Sequence, residues 1–262
     1  MSDPGSRSVA FDRAAEFYDQ SRAISEAAMM QTIARLSKEL AGRGRCLEVG
    51  VGTGLVALPL HGASIALAGI DLSAPMLGRL LHKAGGTPPL PLVRGDATRM
   101  PFRDHVFGGA YLRWVLHLIP GWRTALAEIA RVVKPRGVVL VSVGGYGSVE
   151  GEIRRRFSER TGVSTDPVGL DWGDTDALDA VMADLGGRMR TLEPLHEEYE
   201  EALGRFLDEI EANRYSWTWP VDEQVRLDAV RELRPWAAER FGPLEVPRRE
   251  TLTTVWRAYD LP

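Results

Sequence analysis

Apolar residues recur at helical spacing in "SEAAMMQTIARLSKEL", inside a stretch, residues 12–41, that reads as helical and stops at "AGRG". Beyond that stop the pattern changes to short apolar runs separated by amphipathic segments. "RCLEVG" reads as a buried strand and "LVALPLHG" as the helix after it. "SIALAGIDLS" is a second strand, followed by a helix over "APMLGRLLHKAG". "LPLVRGDA" and "VFGGAYLRW" are the third and fourth strands. "WRTALAEIARVV" is a helix, "KPRG" turns the chain, and "VVLVSV" is the fifth strand. Strand and helix alternate five times between about residues 44 and 143, which predicts a parallel sheet with helices on both faces.

The loop "GGYGS" breaks that rhythm. Helical patterns follow in "SVEGEIRRRFSERTG" and "TDALDAVMADLGG", then a strand candidate, "MRTLEPLHEEY", and a mostly helical stretch over 200–241. The final "ETLTTVWRAY" alternates, as a half-exposed antiparallel strand does. The expected organisation is therefore an N-terminal helical segment (1–41) and an α/β core (42–145). A mainly helical lid and acceptor region (146–247) follows, then a C-terminal strand (248–262) returning to the core sheet.

Three glycines stand at the end of the first predicted strand, Gly50, Gly52 and Gly54 in "EVGVGTG". Glycine there permits a tight turn and a close approach of ligand to main chain, and the next helix offers free N–H groups. The loop reads G-x-G-x-G, not the dinucleotide fingerprint G-x-G-x-x-G. Asp71 ends the second strand, placed to accept ribose hydroxyls at a tip expected to be exposed without ligand. Asp96, in "GDA", stands at the third strand tip. The absence of G-K-[ST] argues against a nucleoside triphosphate.

In this order "CLEVGVGTG", "GIDLSAPML", "RGDATRMPF", "VLHLIPGW" and "EIARVVKPRGVVLVSV" resemble the class I S-adenosylmethionine-dependent methyltransferases, in particular the group related to the ubiquinone and menaquinone biosynthesis methyltransferases (methyltransferase type 11). "FDRAAEFYDQSR" is similar to that group's entry segment, so the resemblance covers roughly residues 11–143. It implies a Rossmann-like fold, S-adenosyl-L-methionine as cofactor and a small-molecule methyl acceptor. It also implies roles. Glu48 orients the amino-acid end of the cofactor, Gly50, Gly52 and Gly54 line its methionine moiety, and Asp71 takes the ribose. Leu72 and Met76 pack on the adenine, Asp96 accepts its exocyclic amine and Ala97 contributes backbone. Tyr18 and Arg22 close over the carboxylate, and Arg113 or Trp114 faces the methyl side. Gly108 replaces the aspartate that usually opens the fourth strand, and Arg136 stands where glycine is common; both bear on local geometry only.

A sulfonium methyl is already activated, so a fixed base is needed only where the acceptor must lose a proton. His117, just past the fourth strand, and Tyr146, in the glycine-rich loop, are the candidate catalytic residues, with a packed histidine and a surface tyrosine as the competing readings. His61, His82, His105 and His196 have no supporting context. "YLRW" replaces the Asn/Asp-Pro-Pro-aromatic stretch used for amino methylation of bases. The one cysteine, Cys46, starts a strand and reads as a small buried residue, not a nucleophile. No histidine spacing suggests a metal. Trp217 and Trp219, in "RYSWTWP", belong either to an acceptor pocket or to the appendage's own core.

Charge sharpens the partner class. The net charge of −4 conceals 17 basic and 11 acidic residues in 1–145 against 15 basic and 25 acidic in 146–262. So acidic a half disfavours nucleic acid. There is no apolar run of membrane-spanning length, and the opening residues lack a signal-peptide pattern, so the expected location is cytoplasmic. Two other function classes remain open: a non-catalytic S-adenosylmethionine-binding or regulatory protein on the same fold, and a nicotinamide oxidoreductase.

Overall fold

The computed structural model describes residues 8–21, 25–143, 148–171 and 173–262. Along the chain run α1 (Tyr18–Ser21), α2 (Glu26–Leu40), β1 (Cys46–Val49), α3 (Ala57–Gly62), β2 (Leu67–Asp71), α4 (Ala74–Lys83), β3 (Leu92–Arg94), β4 (Phe107–Arg113), α5 (Trp122–Val132) and β5 (Val133–Val143). They are followed by α6 (Ser148–Thr161), α7 (Thr175–Asp184), β6 (Arg188–Thr191), β7 (Leu195–Glu201), α8 (Leu203–Glu211), α9 (Glu223–Phe241) and β8 (Arg248–Asp260). Contacts divide the chain into two units. One comprises Met1–Gly144, Val168–Leu195 and Thr254–Pro262, the other Gly145–Pro167 and His196–Thr253.

In the first unit the sheet order is β3-β2-β1-β4-β5-β8-β6. Strands β1 to β5 are parallel, whereas β8 runs antiparallel to both β5 and β6. All four residues of β1 and six of the seven in β4 are buried, as continuous apolar runs in a sheet covered on both faces require. Alternate residues feed two cores. Leu47, Val49, Leu112, Val139 and Val141 pack with Leu126 and Ile129 of α5 and Leu178 and Met182 of α7. On the other face Cys46, Tyr111, Val138, Leu140 and Trp256 pack with Leu36 and Leu40 of α2, Leu60 of α3 and Leu80 of α4. A side-chain cap fixes the helix start after β2, where Ser73 Oγ accepts from Met76 N at 3.2 Å, and Ser25 Oγ caps α2 the same way, accepting from Ala28 N at 3.2 Å.

Both departures from the resembled pattern have a local cause. A Cβ on residue 108 would lie 1.6 Å from the carbonyl oxygen of Arg43, so only glycine fits there. Arg136 has φ +62°, the left-handed conformation that makes glycine common at such a turn, and its N–H donates to Pro262 O at 2.9 Å.

Residues 168–195, expected in the helical appendage, group with the sheet. Gly169 N and Leu170 N donate to His117 O and Leu116 O at 3.0 and 3.1 Å, and a Cβ on residue 169 would come within 2.0 Å of Leu116 O. Further along, α7 covers the sheet and β6 pairs with β8. The single strand expected over "MRTLEPLHEEY" is two, β6 and β7, on either side of Pro194, which has no N–H for a ladder.

In the second unit α6, α8 and α9 enclose a core that includes Ile153, Phe157, Phe206, Leu207, Val230 and Leu233. Trp217 belongs to that core. It meets Phe157 edge-on at 5.4 Å and stacks on Tyr215 at 5.4 Å, so of its two readings the core position holds. Trp219 donates from Nε1 to Asn213 O at 3.0 Å. The strand β7 pairs with β8.

Candidate functional site

The order of strands reverses between β1 and β4, and ligands in such sheets bind beside that point at the carboxyl ends. The chain leaves β1 through Gly50, Gly52 and Gly54, with φ of +73°, +52° and +75°. At two of the three, crowding as well as conformation opposes a side chain. A Cβ at residue 50 would meet Val115 at 2.4 Å, and one at residue 54 would meet Leu80 at 2.8 Å. At residue 52 it would meet the Met76 methyl at 3.2 Å, which brings Met76 against the loop.

The carboxylate of Asp71 fastens this loop. Its Oδ2 accepts from Gly52 N and its Oδ1 from Ser73 N, both at 2.8 Å. The side chain is therefore engaged and half-buried, not standing at an open tip as expected. Burial pushes its pKa up, against the pull of the Ser73 and Gly52 N–H groups. Asp71 O accepts from Gly95 N at 2.9 Å, which ties the β3 tip alongside. There Asp96 Oδ1 accepts from the Thr98 N–H and hydroxyl at 2.8 and 2.9 Å. Leu72 is half-buried beside Asp71, and Ala97 packs against the core.

Glu48 lies on β1 with 4 % of its surface exposed. Tyr111 of β4 is its register partner and donates from its hydroxyl to Glu48 Oε2 at 2.6 Å. Burial pushes the Glu48 carboxyl up to about 8, opposed by that hydrogen bond and by the Arg113 charge and reinforced by the Asp71 charge. Arg113 stacks over the Trp114 ring at 3.7 Å.

The N-terminal segment is held to the glycine loop by a residue that the sequence reading did not single out. Asp19 Oδ1 accepts from the Thr53 hydroxyl at 2.5 Å, and Oδ2 pairs with Lys83 Nζ at 2.8 Å. Tyr18, its neighbour, is half-buried and meets Phe11 edge-on at 5.9 Å. Arg22 and Tyr146 lie outside the described residues. His117 is not brought to Glu48. It lines a recess of about 360 Å³, open mouth included, with Leu112, Val141, Leu170 and Asp171. Leu112 and Val141 face the side of the sheet opposite Tyr111 and Leu140. Among the described residues no group of three or more His, Cys, Asp or Glu could hold a metal ion.

What the arrangement offers is a glycine cradle flanked by three carboxylates on adjacent strand tips. The model of the methyltransferase domain family matches residues 47–141, from β1 through most of β5. A phosphatidylethanolamine N-methyltransferase from Cereibacter sphaeroides is 32% identical over 170 residues, 62% of this chain and 77% of that protein. The chain belongs to the S-adenosylmethionine-dependent methyltransferases. A demethylmenaquinone methyltransferase from Mycolicibacterium vanbaalenii is 30% identical over 142 residues, 53% of this methyltransferase and 60% of that one. In fold it is similar to Haemonchus contortus phosphoethanolamine N-methyltransferase 2, solved with phosphomonomethylethanolamine and S-adenosylhomocysteine. The TM-score is 0.56 at 17% identity, covering 96% of this chain and 57% of that one. The matches favour an enzyme over the non-catalytic alternative. Among the described residues this methyltransferase has no helix long and apolar enough to cross a membrane.

Proposed function

We propose that the tips of β1, β2 and β3 hold S-adenosyl-L-methionine and that its methyl passes by direct displacement to a small-molecule acceptor. The carrying observation is the trio of Glu48, Asp71 and Asp96 at adjacent strand ends around a loop of three glycines at positive φ. The donor set suits the ligand. Glu48 accepts from the ammonium, Asp71 from the ribose hydroxyls and Asp96 from the adenine amine, while Leu72 and Met76 supply apolar walls for a flat ring. Gly50, Gly52 and Gly54 bring main chain close to the methionine moiety, and Ala97 adds backbone at the adenine end. Tyr18 and Arg22 are assigned to the carboxylate and Arg113 to the methyl side. The bound sulfonium supplies an activated methyl, so the protein's task is to align an acceptor with it and exclude water. His117 and Tyr146 are the proposed bases for an acceptor that must lose a proton.

Titration calorimetry with S-adenosylhomocysteine tests the donor site, with NADH as the control. Binding of NADH alone would refute it. Transfer of a labelled methyl to phosphatidylethanolamine or to demethylmenaquinone, the compounds in the names of two relatives, tests the acceptor class. Transfer to neither, with transfer to a protein or nucleic-acid fraction, would overturn the small-molecule reading.

A further inference from the structure

Tyr111 sits inside β4 and is completely buried within the core cluster of Cys46, Val138, Leu140 and Trp256. Phenylalanine would fill such a position without a polar atom to satisfy, so packing does not account for the hydroxyl. That hydroxyl reaches across the β1–β4 gap, where the strand order reverses, and takes Glu48 Oε2 at 2.6 Å. Glu48 Oε1 has no hydrogen-bond partner among the described residues. One oxygen of a buried carboxylate is thus fixed by the protein, and the other takes no hydrogen bond from the described residues.

We propose that Tyr111 is a positioning residue of the methyl-donor site: by donating to Oε2 it fixes the Glu48 carboxyl and leaves Oε1 to receive the donor's ammonium. This rests on the assignment of Glu48 to that ammonium. Among the described residues, the charged or titratable groups facing Glu48 are Tyr111 and Arg113 from β4 and Asp71 from β2. Arg113 favours the ionised form and Asp71 opposes it. Burial raises the carboxyl to about 8, and the Tyr111 bond is the largest influence acting the other way. An ammonium needs the ionised carboxylate, so affinity rises with pH and levels off above about 8. Without the hydroxyl that bend moves up by roughly 1–2 pH units, the scale set by a hydrogen bond to a charged group.

The test is calorimetric titration of S-adenosylhomocysteine from pH 6 to 10 into wild type, Tyr111→Phe, Glu48→Gln and the double variant. The ligand's own ammonium titrates alike in all four, so differences belong to the protein. Tyr111→Phe is expected to bind roughly ten- to a hundredfold more weakly at pH 7, with the gap narrowing as pH rises. In the Glu48→Gln background, loss of the hydroxyl should change nothing. A loss equal at every pH, or one that persists beside Glu48→Gln, overturns the proposal and makes Tyr111 a packing residue. Carbon NMR of the Glu48 carboxyl in the ligand-free protein gives a second reading. A titration midpoint unmoved by Tyr111→Phe overturns the proposal whatever binds. A midpoint that moves in a protein that never binds S-adenosylhomocysteine supports Tyr111's hold on Glu48 and refutes the donor-site reading instead.

Discussion

Asp71→Asn tests two duties of one side chain. Both carboxylate oxygens already accept a backbone N–H at 2.8 Å, from Gly52 and from Ser73. Asparagine keeps one acceptor oxygen and turns an NH₂ toward the other N–H. One hydrogen bond to a charged group is lost, and a donor faces a donor. Losing such a bond costs about 1.5–3 kcal/mol. For a unit of this size that lowers the melting temperature by roughly 3–12 °C. The ribose hydroxyls would lose a charged acceptor as well, so affinity for S-adenosylhomocysteine should fall about ten- to 150-fold. Scanning calorimetry, read on the transition that S-adenosylhomocysteine raises, measures the first effect, and isothermal titration the second. An unchanged melting temperature would show that the Asp71–Gly52 bond does not hold the loop. Lower stability with wild-type affinity would remove Asp71 from the ribose.

Two other outcomes follow from burial. The Glu48 carboxyl has a folded pKa near 8, above its ordinary value, so its contribution to stability is fully present below that ordinary value and is lost as pH rises toward 8. Ligand-free wild type should therefore lose stability over that window, and Glu48→Gln should flatten the decline in urea unfolding at pH 5 to 8.5; parallel curves would disprove the burial argument. Trp217→Ala removes a ring packed on Phe157 and Tyr215 and should cost the second unit about 3–5 kcal/mol in denaturant unfolding, whereas a change below 1 kcal/mol would show the ring is not core.

The parallel sheet was legible because buried strands write continuous apolar runs, and the glycine loop because three positive φ angles within five residues strongly favour glycine. Asp71 and Asp96 could be placed by counting to the strand ends. Tyr111 could not, since a tyrosine in an apolar strand reads as packing until register sets it beside Glu48. Asp19 was visible only as the residue after Tyr18. Its tie to Thr53 depends on how the entry segment folds back over 34 residues. The placement of 168–195 was hidden for a similar reason. Gly169 looks like any loop glycine until the carbonyls of Leu116 and Ile119 come within 2.0 and 2.5 Å of where its side chain would be. Local pattern carries conformation, whereas these contacts are made across the fold.

The last strand lies between β5 and β6, not at an edge. Val138 of β5 pairs with Asp260 of β8, and among the described residues β6 joins the sheet through β8. A ribosome making this chain therefore presents β5 as a bare strand edge until β8 has been made. Such an edge is a template for unwanted pairing. Pairings this distant in sequence also form slowly. Completion of the sheet thus waits for β8, and a nascent chain stalled before residue 248 would expose the surface a holding chaperone recognises.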